Sequence, residues 1–232
     1  EYLVAAVLSF AGDRHQRPRF LRATTHRLGR TGDPGVLEMT ADGLEAVDDP
    51  SGVFLADRQL GATGSAVVAV VDGHRPLLVE LQALVVPSNA MTPRRAAQGV
   101  ESGRLAMLLA VLERRCGVKV LGSEVYVSVV GGVRIAEPGA DLAIALAVAS
   151  AVFDKPLTDE VCVCGEVGLA GELRQVTQID RRLDEAARLG YEAAVVPASV
   201  KTETTKIELR HATSIVDAMR LSGLGAPMRS AA

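Results

Sequence analysis

Up to residue 56 the apolar positions come in short runs broken by turn formers. Runs at 3–10, 19–25, 36–40 and 44–47 predict strands, with breaks at 12–13, 32–35 and 48–52. The polar stretch 57–64, DRQLGATG, reads as a linker into a second domain. From Ser65 onward the periods are plainer. Strands at 66–71 and 77–86 pair across Asp72-Gly73-His74-Arg75-Pro76, and a helix over 102–115 carries Leu105, Leu108, Leu109 and Leu112 on one face with Gly117 just past its end. A strand at 125–133 leads through a Pro-Gly turn into an apolar helix over 141–153, with Leu142, Ala145, Leu146, Ala149 and Phe153 along one side. Strands at 161–167 and 172–176 are expected to pair with each other, followed by a helix over 179–189 that ends at Gly190 as a left-handed cap. A strand at 193–196, a helix at 213–221 and a disordered tail at 226–232 complete the pattern. Strands predominate and helices are few, which predicts an α+β fold.

With 232 residues and 48% apolar composition, the chain can bury a real core. The longest apolar run, 142–153, is alanine-rich and too short to cross a bilayer, and no basic segment with a cleavage site opens the chain. A cytoplasmic protein is expected. Residue 1 is Glu1 rather than methionine and lies inside an apolar run, which suggests a fragment of a longer protein. Three cysteines cannot all pair; Cys162 and Cys164 share one face of a strand and read as buried thiols. His15, His26, His74 and His211 are scattered without metal-ligand spacing, so no metal site is predicted. A net charge of −3 gives no global sign of nucleic-acid binding, and any such site must be a local patch. The phosphate-cradling pattern G-x-x-x-x-G-K-[ST] is absent, so this stretch is not expected to hydrolyse ATP alone.

The chemistry concentrates at the turn Pro138-Gly139-Ala140-Asp141. The first turn of a helix exposes backbone N–H groups without intrahelical partners, so a nucleophile placed there would have oxyanion donors beside it. The position holds Ala140, and a methyl group has no lone pair with which to attack. Asp141 reads as a first-turn carboxylate favoured by the helix dipole, and Glu137 as structural. Arg94 and Arg95 follow Thr92-Pro93 in a polar loop, and Arg104 lies in the first turn of the next helix, where the dipole disfavours a cation and a phosphate would reverse the preference. Arg174 in the hairpin and Arg181 and Arg182 on an exposed helix face could extend the patch. With no tryptophan and seven Phe and Tyr residues, none grouped, aromatic stacking on bases gets little support.

Taken together, the stretch 131–171 resembles the proteolytic domain of Lon, with Ala140 at the catalytic serine and Asp180 at the catalytic lysine. Both halves of that dyad are missing. The degenerate dyad, with RPLLVELQALV, TPRRAAQGVESGRLAMLLAVLERR and GEVGLAGELR, resembles the C-terminal part of the bacterial RadA (Sms) family of recombination and repair ATPases. The resemblance implies a ribosomal protein S5 domain 2-like fold over residues 65–225, preceded at 1–56 by the end of a RecA-like ATPase domain. In that family a Lys-Asn-Arg-Phe-Gly motif reaches a neighbouring subunit's nucleotide; here it reads Thr25-His26-Arg27-Leu28-Gly29, keeping only Arg27 and Gly29. It further implies a hexameric ring, single-stranded DNA and recombination intermediates as ligands, the recombinase RecA as partner, and branch migration as the activity. ATP, Mg and a zinc finger would belong to the rest of the protein. The resemblance then favours Arg94, Arg95 and Arg104 as contacts to the DNA backbone. The rival readings are a Lon-class peptidase using Ser150 or Ser128, and a structural oligomerisation module.

Overall fold

The computed structural model describes residues 4–12, 18–27, 31, 34–203 and 206–225. Strands β1 (Ala6–Ala11), β2 (Pro18–His26), β3 (Gly35–Thr40) and β4 (Gly43–Ala46) form an antiparallel sheet in sequence order. Its pleat sends Phe20 and Val36, which pair across β2 and β3, into the core, and leaves Leu8, Phe10, Met39 and Leu44 exposed. The expected turn at 48–52 is instead a short helix, α1 (Pro50–Leu55). Asp49 caps it by accepting the Gly52 N–H at 3.1 Å, and Pro50 takes the first helical turn, where its missing N–H costs nothing. Phe54 from this helix stacks near Phe20 at 6.5 Å between ring centroids and packs over Gly131.

The second sheet has seven strands in the order β13-β12-β9-β5-β6-β8-β7, built from β5 (Ser65–Asp72), β6 (Arg75–Pro87), β7 (Arg95–Gln98), β8 (Ser123–Val129), β9 (Val161–Val163), β12 (Ala193–Pro197) and β13 (Glu208–Ala212). The neighbours β5/β6 and β6/β8 are antiparallel; β7/β8, β5/β9, β9/β12 and β12/β13 are parallel. The molecule is therefore a mixed α/β structure in which parallel pairing is prominent. Helices α2 (Ser102–Cys116), α3 (Asp141–Phe153) and α5 (Ile215–Leu221) pack into one core cluster, and α4 (Ile179–Arg188) into a second with Val67, Ala69, Leu78 and Val196. Residues 141–150 are buried on every side, as expected of a helix with no polar face. Left-handed Gly117 and Gly190 follow α2 and α4, as the sequence predicts.

Several strand limits differ from the sequence reading. The strand expected to reach residue 133 ends at Val129, because Gly131 and Gly132 take φ of 75° and 69°. The run 161–167 is not one strand. β9 joins the large sheet, while β10 (Glu166–Val167) pairs separately with β11 (Leu173–Arg174). The break falls at Gly165, which donates to the Gly139 carbonyl at 3.0 Å and accepts from the Leu142 N–H at 3.1 Å; a Cβ there would stand 3.1 Å from Pro197. Arg95 begins β7 rather than lying in a loop, and β13 has no counterpart in the sequence reading. The last helix starts at Ile215, capped by Ser214, two residues later than its period suggests. The tail 226–232 lies outside the described residues.

The polar stretch 57–64 is pinned rather than free. Arg58 donates to the Asp159 carbonyl and carboxylate, both at 3.1 Å, and the Asp159 carboxylate also accepts the Gly61 N–H. Gly64 donates to Ser150 Oγ at 2.8 Å, and its carbonyl accepts from Ala83 at 2.7 Å.

Candidate nucleic-acid interface

The turn that would hold a nucleophile is closed by two ion pairs. Ala140 is buried at the end of a 3-10 turn, and the side chain that reaches this turn from α4 is Arg182, not Asp180. Arg182 Nη1 lies 3.1 Å from where a Cβ on Gly139 would stand. Its guanidinium pairs with both oxygens of Glu137 at 2.7 and 2.5 Å, and donates to the carbonyls of Ala69 at 2.7 Å and Thr177 at 2.9 Å. The expectation that Arg182 sits on an exposed face is thus corrected: its side chain is 0% exposed. Asp180 is exposed at the start of α4 and accepts from Thr202.

Arg104 forms the second pair. It grips fully buried Asp141 through Nε and Nη2, and Asp141 also accepts the Val167 N–H at 3.1 Å. The hydrogen bonds that Arg104 donates to Asp141 raise its guanidinium above the usual value. The dipole penalty on a cation in this first turn is therefore answered by an internal carboxylate rather than by a ligand. Asp141 caps no N–H of its own helix; it ties α3 to α2 and to β10.

Ser150 is also buried and internally engaged. It accepts from Gly64 and donates to the Lys155 carbonyl at 2.6 Å, so its lone pairs and proton serve the fold. Ser128 lies on the outer face of β8. The thiols are buried and free: burial pushes Cys116 up to about 11 and Cys164 up to about 12, and raises Cys162 as well. Among the described residues no group of His, Cys, Asp and Glu could hold a metal ion, and no helix is long and apolar enough to cross a membrane.

The remaining arginines separate by position. Arg181 is exposed and donates to the His74 carbonyl in the β5–β6 turn, apart from Arg94 and Arg95. Arg27 is exposed just beyond β2, while Gly29 lies outside the described residues. Arg104 stands about 15 Å along α2 from that helix's last turn. Arg94, Arg95 and Arg174 do fall on one tract, together with cations that the sequence reading passed over. Arg95 Nη2 donates to the Leu121 carbonyl at 3.4 Å, beside exposed Lys119. Glu113 holds that loop to α2 by accepting the Val120 and Leu121 N–H groups at 2.6 and 2.9 Å. Arg114 and Arg115 are exposed on the same last turn, where the helix dipole favours cations. Arg115 donates to the Leu169 carbonyl in the β10–β11 hairpin, where Arg174 pairs with Glu172. Arg94, Arg95, Lys119, Arg114, Arg115 and Arg174 are thus linked through Leu121 and Leu169 around the C-terminal end of α2, with Glu113 and Glu172 among them. The tract's signal in the sequence was the cluster of basic residues around Cys116-Gly117 at a helix end, which is ordinarily read as capping alone.

Comparison with known proteins bears on this arrangement. The ChlI family, subunit ChlI of Mg-chelatase, matches residues 110–200. The chain is 47% identical to the DNA repair protein RadA of Halalkalibacterium halodurans over 85% of its own length and 43% of the relative's. It is 46% identical to that of Mycolicibacterium smegmatis over 93% and 46%, and 42% identical to that of Bacillus subtilis over 96% and 49%. It spans somewhat under half the length of these relatives. Over nearly all of its residues, the chain belongs to the RadA family of DNA repair proteins.

Proposed function

We propose that this chain is the DNA-engaging, ring-forming scaffold of a RadA-type protein acting in the cytoplasm in homologous recombination and branch migration. The observation that carries the reading is the cationic tract from Arg94 to Arg174, supported by the kinship to DNA repair proteins. Clustered arginine and lysine neutralise phosphates, a mode that positions nucleic acid without reading its sequence. The ligand is single-stranded DNA within recombination intermediates, the assembly a hexameric ring, and the partner recombinase RecA. Residues 65–225 are assigned to an inactive Lon-like domain of the ribosomal protein S5 domain 2-like class. The ion-paired turn at 138–141 supports this, because it keeps a helix-head geometry without a nucleophile. Residues 1–56 are assigned to the end of a RecA-like ATPase domain, with 57–64 as the connection. The exposed Leu8, Phe10, Met39 and Leu44 support a sheet face that the rest of that domain covers. ATP, Mg and the zinc finger belong to that remainder.

The test is a salt series. Arg94→Ala, Arg95→Ala and Lys119→Ala together should lower the log–log salt slope for single-stranded DNA by about 0.7 per lost phosphate contact, roughly two units per subunit engaged. Arg104 is left intact, since its loss strands Asp141. An unchanged slope with oligomeric mass intact means that the tract is merely solvated, and the reading falls.

A further inference from the structure

We propose that the open face of β6, β8 and β7 is a single-stranded DNA site in which Tyr126 stacks on a base. The inference rests on the DNA reading above and adds the contact that would tell single strands from duplex. Helix α4 covers the sheet over β5 and the first part of β6, where Leu78 joins its core cluster. Beyond that, the same face of β6 is uncovered, and Gln82 and Leu84 are exposed. Pairing register sets out what this face presents. Gln82, Ser128 and Gln98 form one row across three strands, and Leu84, Tyr126 and Ala96 form the next. Neighbours in a row stand about 4.8 Å apart. Both rows line a cleft of about 620 Å³, together with Thr63 and Ser65.

The chemistry of the cleft suits a nucleobase. Besides Arg94 and Glu124 at the ring, the cleft offers the amides of Gln82 and Gln98 and the hydroxyls of Thr63 and Ser128, so edges of any base can be met without a fixed sequence. Arg94 holds its guanidinium carbon 5.9 Å from the Tyr126 ring centroid. Arg94 lies one position before β7 and Gln98 ends it, so the cation and the Gln82–Ser128–Gln98 row stand at opposite ends of that strand. Tyr126 Oη donates to Glu124 Oε2 at 2.7 Å, which fixes the ring at its far end. The occupant is argued from charge: Arg94, over the Tyr126 ring, and Arg95, next to it on the edge strand, place cations for a backbone phosphate beside the cleft. A duplex cannot use the site, because its bases are already stacked on each other.

The experiment measures binding of labelled oligo(dT) and of duplex DNA to wild type, Tyr126→Leu and Tyr126→Phe over a salt series, with oligomeric mass followed in parallel. The Leu variant should bind oligo(dT) about tenfold more weakly, with salt slope and duplex binding unchanged, and the Phe variant should bind as wild type. Equal binding by the Leu variant, or an equal loss on both DNA forms, overturns the stacking site while leaving the cationic tract in place. A change in oligomeric mass overturns it too, by making this face a contact between copies of the chain. Wild-type protein that binds neither DNA form overturns the reading of the tract itself.

Discussion

Arg181 and Arg182 are neighbours in sequence with opposite fates, and the difference is a matter of which carbonyls and carboxylates each can reach. Arg182 satisfies its donors on Glu137, Ala69 and Thr177 with no exposure, whereas Arg181 holds one surface carbonyl. Removing one partner of a buried pair strands the other, so Arg182→Ala is expected to cost about 3–5 kcal/mol in urea unfolding. Arg181→Ala should stay within about 0.5 kcal/mol. Equal costs would mean that the Glu137 pair is not what holds the turn. The placement was partly legible. Arg182 precedes Leu183 and stands four residues before Ala186, both buried, so the helical period already sets it on the inner stripe. Charge argued for the surface, and the fold supplies the carboxylate, Glu137, that outweighs it. Nor could Arg104 and Asp141, 37 residues apart, be paired from spacing alone.

Among the elements, those with long periods were readable. α2, α3 and α4 carry their apolar stripes over enough turns to be recognised, and their glycine or turn punctuation gives the ends. α1, β7 and β13 were not, because six, four and five residues are too few to show a period, and strand identity depends on neighbours distant in sequence. α1 owes its place to polar contacts. Ser51 Oγ donates to Glu185 at 2.6 Å and accepts the Leu78 N–H at 3.1 Å, while Arg188 bridges Glu185 and Asp49. The Arg188 bond lowers the Asp49 carboxyl below 3.8; at Glu185, desolvation works upward, but the bonds from Arg188 and Ser51 prevail and lower it below 4.5. Depressed carboxyls contribute stability that is full above their ordinary values and lost as pH falls through the folded ones. The stability gap between wild type and Arg188→Ala should therefore be full above the ordinary carboxylate range and close progressively as the pH falls through the lower folded values. A gap that persists in acid would show that Arg188 acts through packing rather than charge.

At the scale of the whole molecule, kinship to the RadA family was legible when several strand pairings were not, because it is carried by whole stretches of sequence such as RPLLVELQALV and GEVGLAGELR. Composition alone reads 57–64 as a linker into a second domain. What it missed is that Asp159, about a hundred residues onward, receives both Arg58 and Gly61. Such a joint behaves mechanically as a strut. A load applied to the first sheet passes through Arg58 into Asp159 and so to β9, next to the central strand β5 of the second sheet, without first drawing out slack. Pulled between handles at Ala6 and Gly225 in an optical trap, the chain should show no compliant, low-force extension before the first rupture. Asp159→Ala should introduce one, and its appearance in the wild type instead would mean that the joint yields before it can transmit torque.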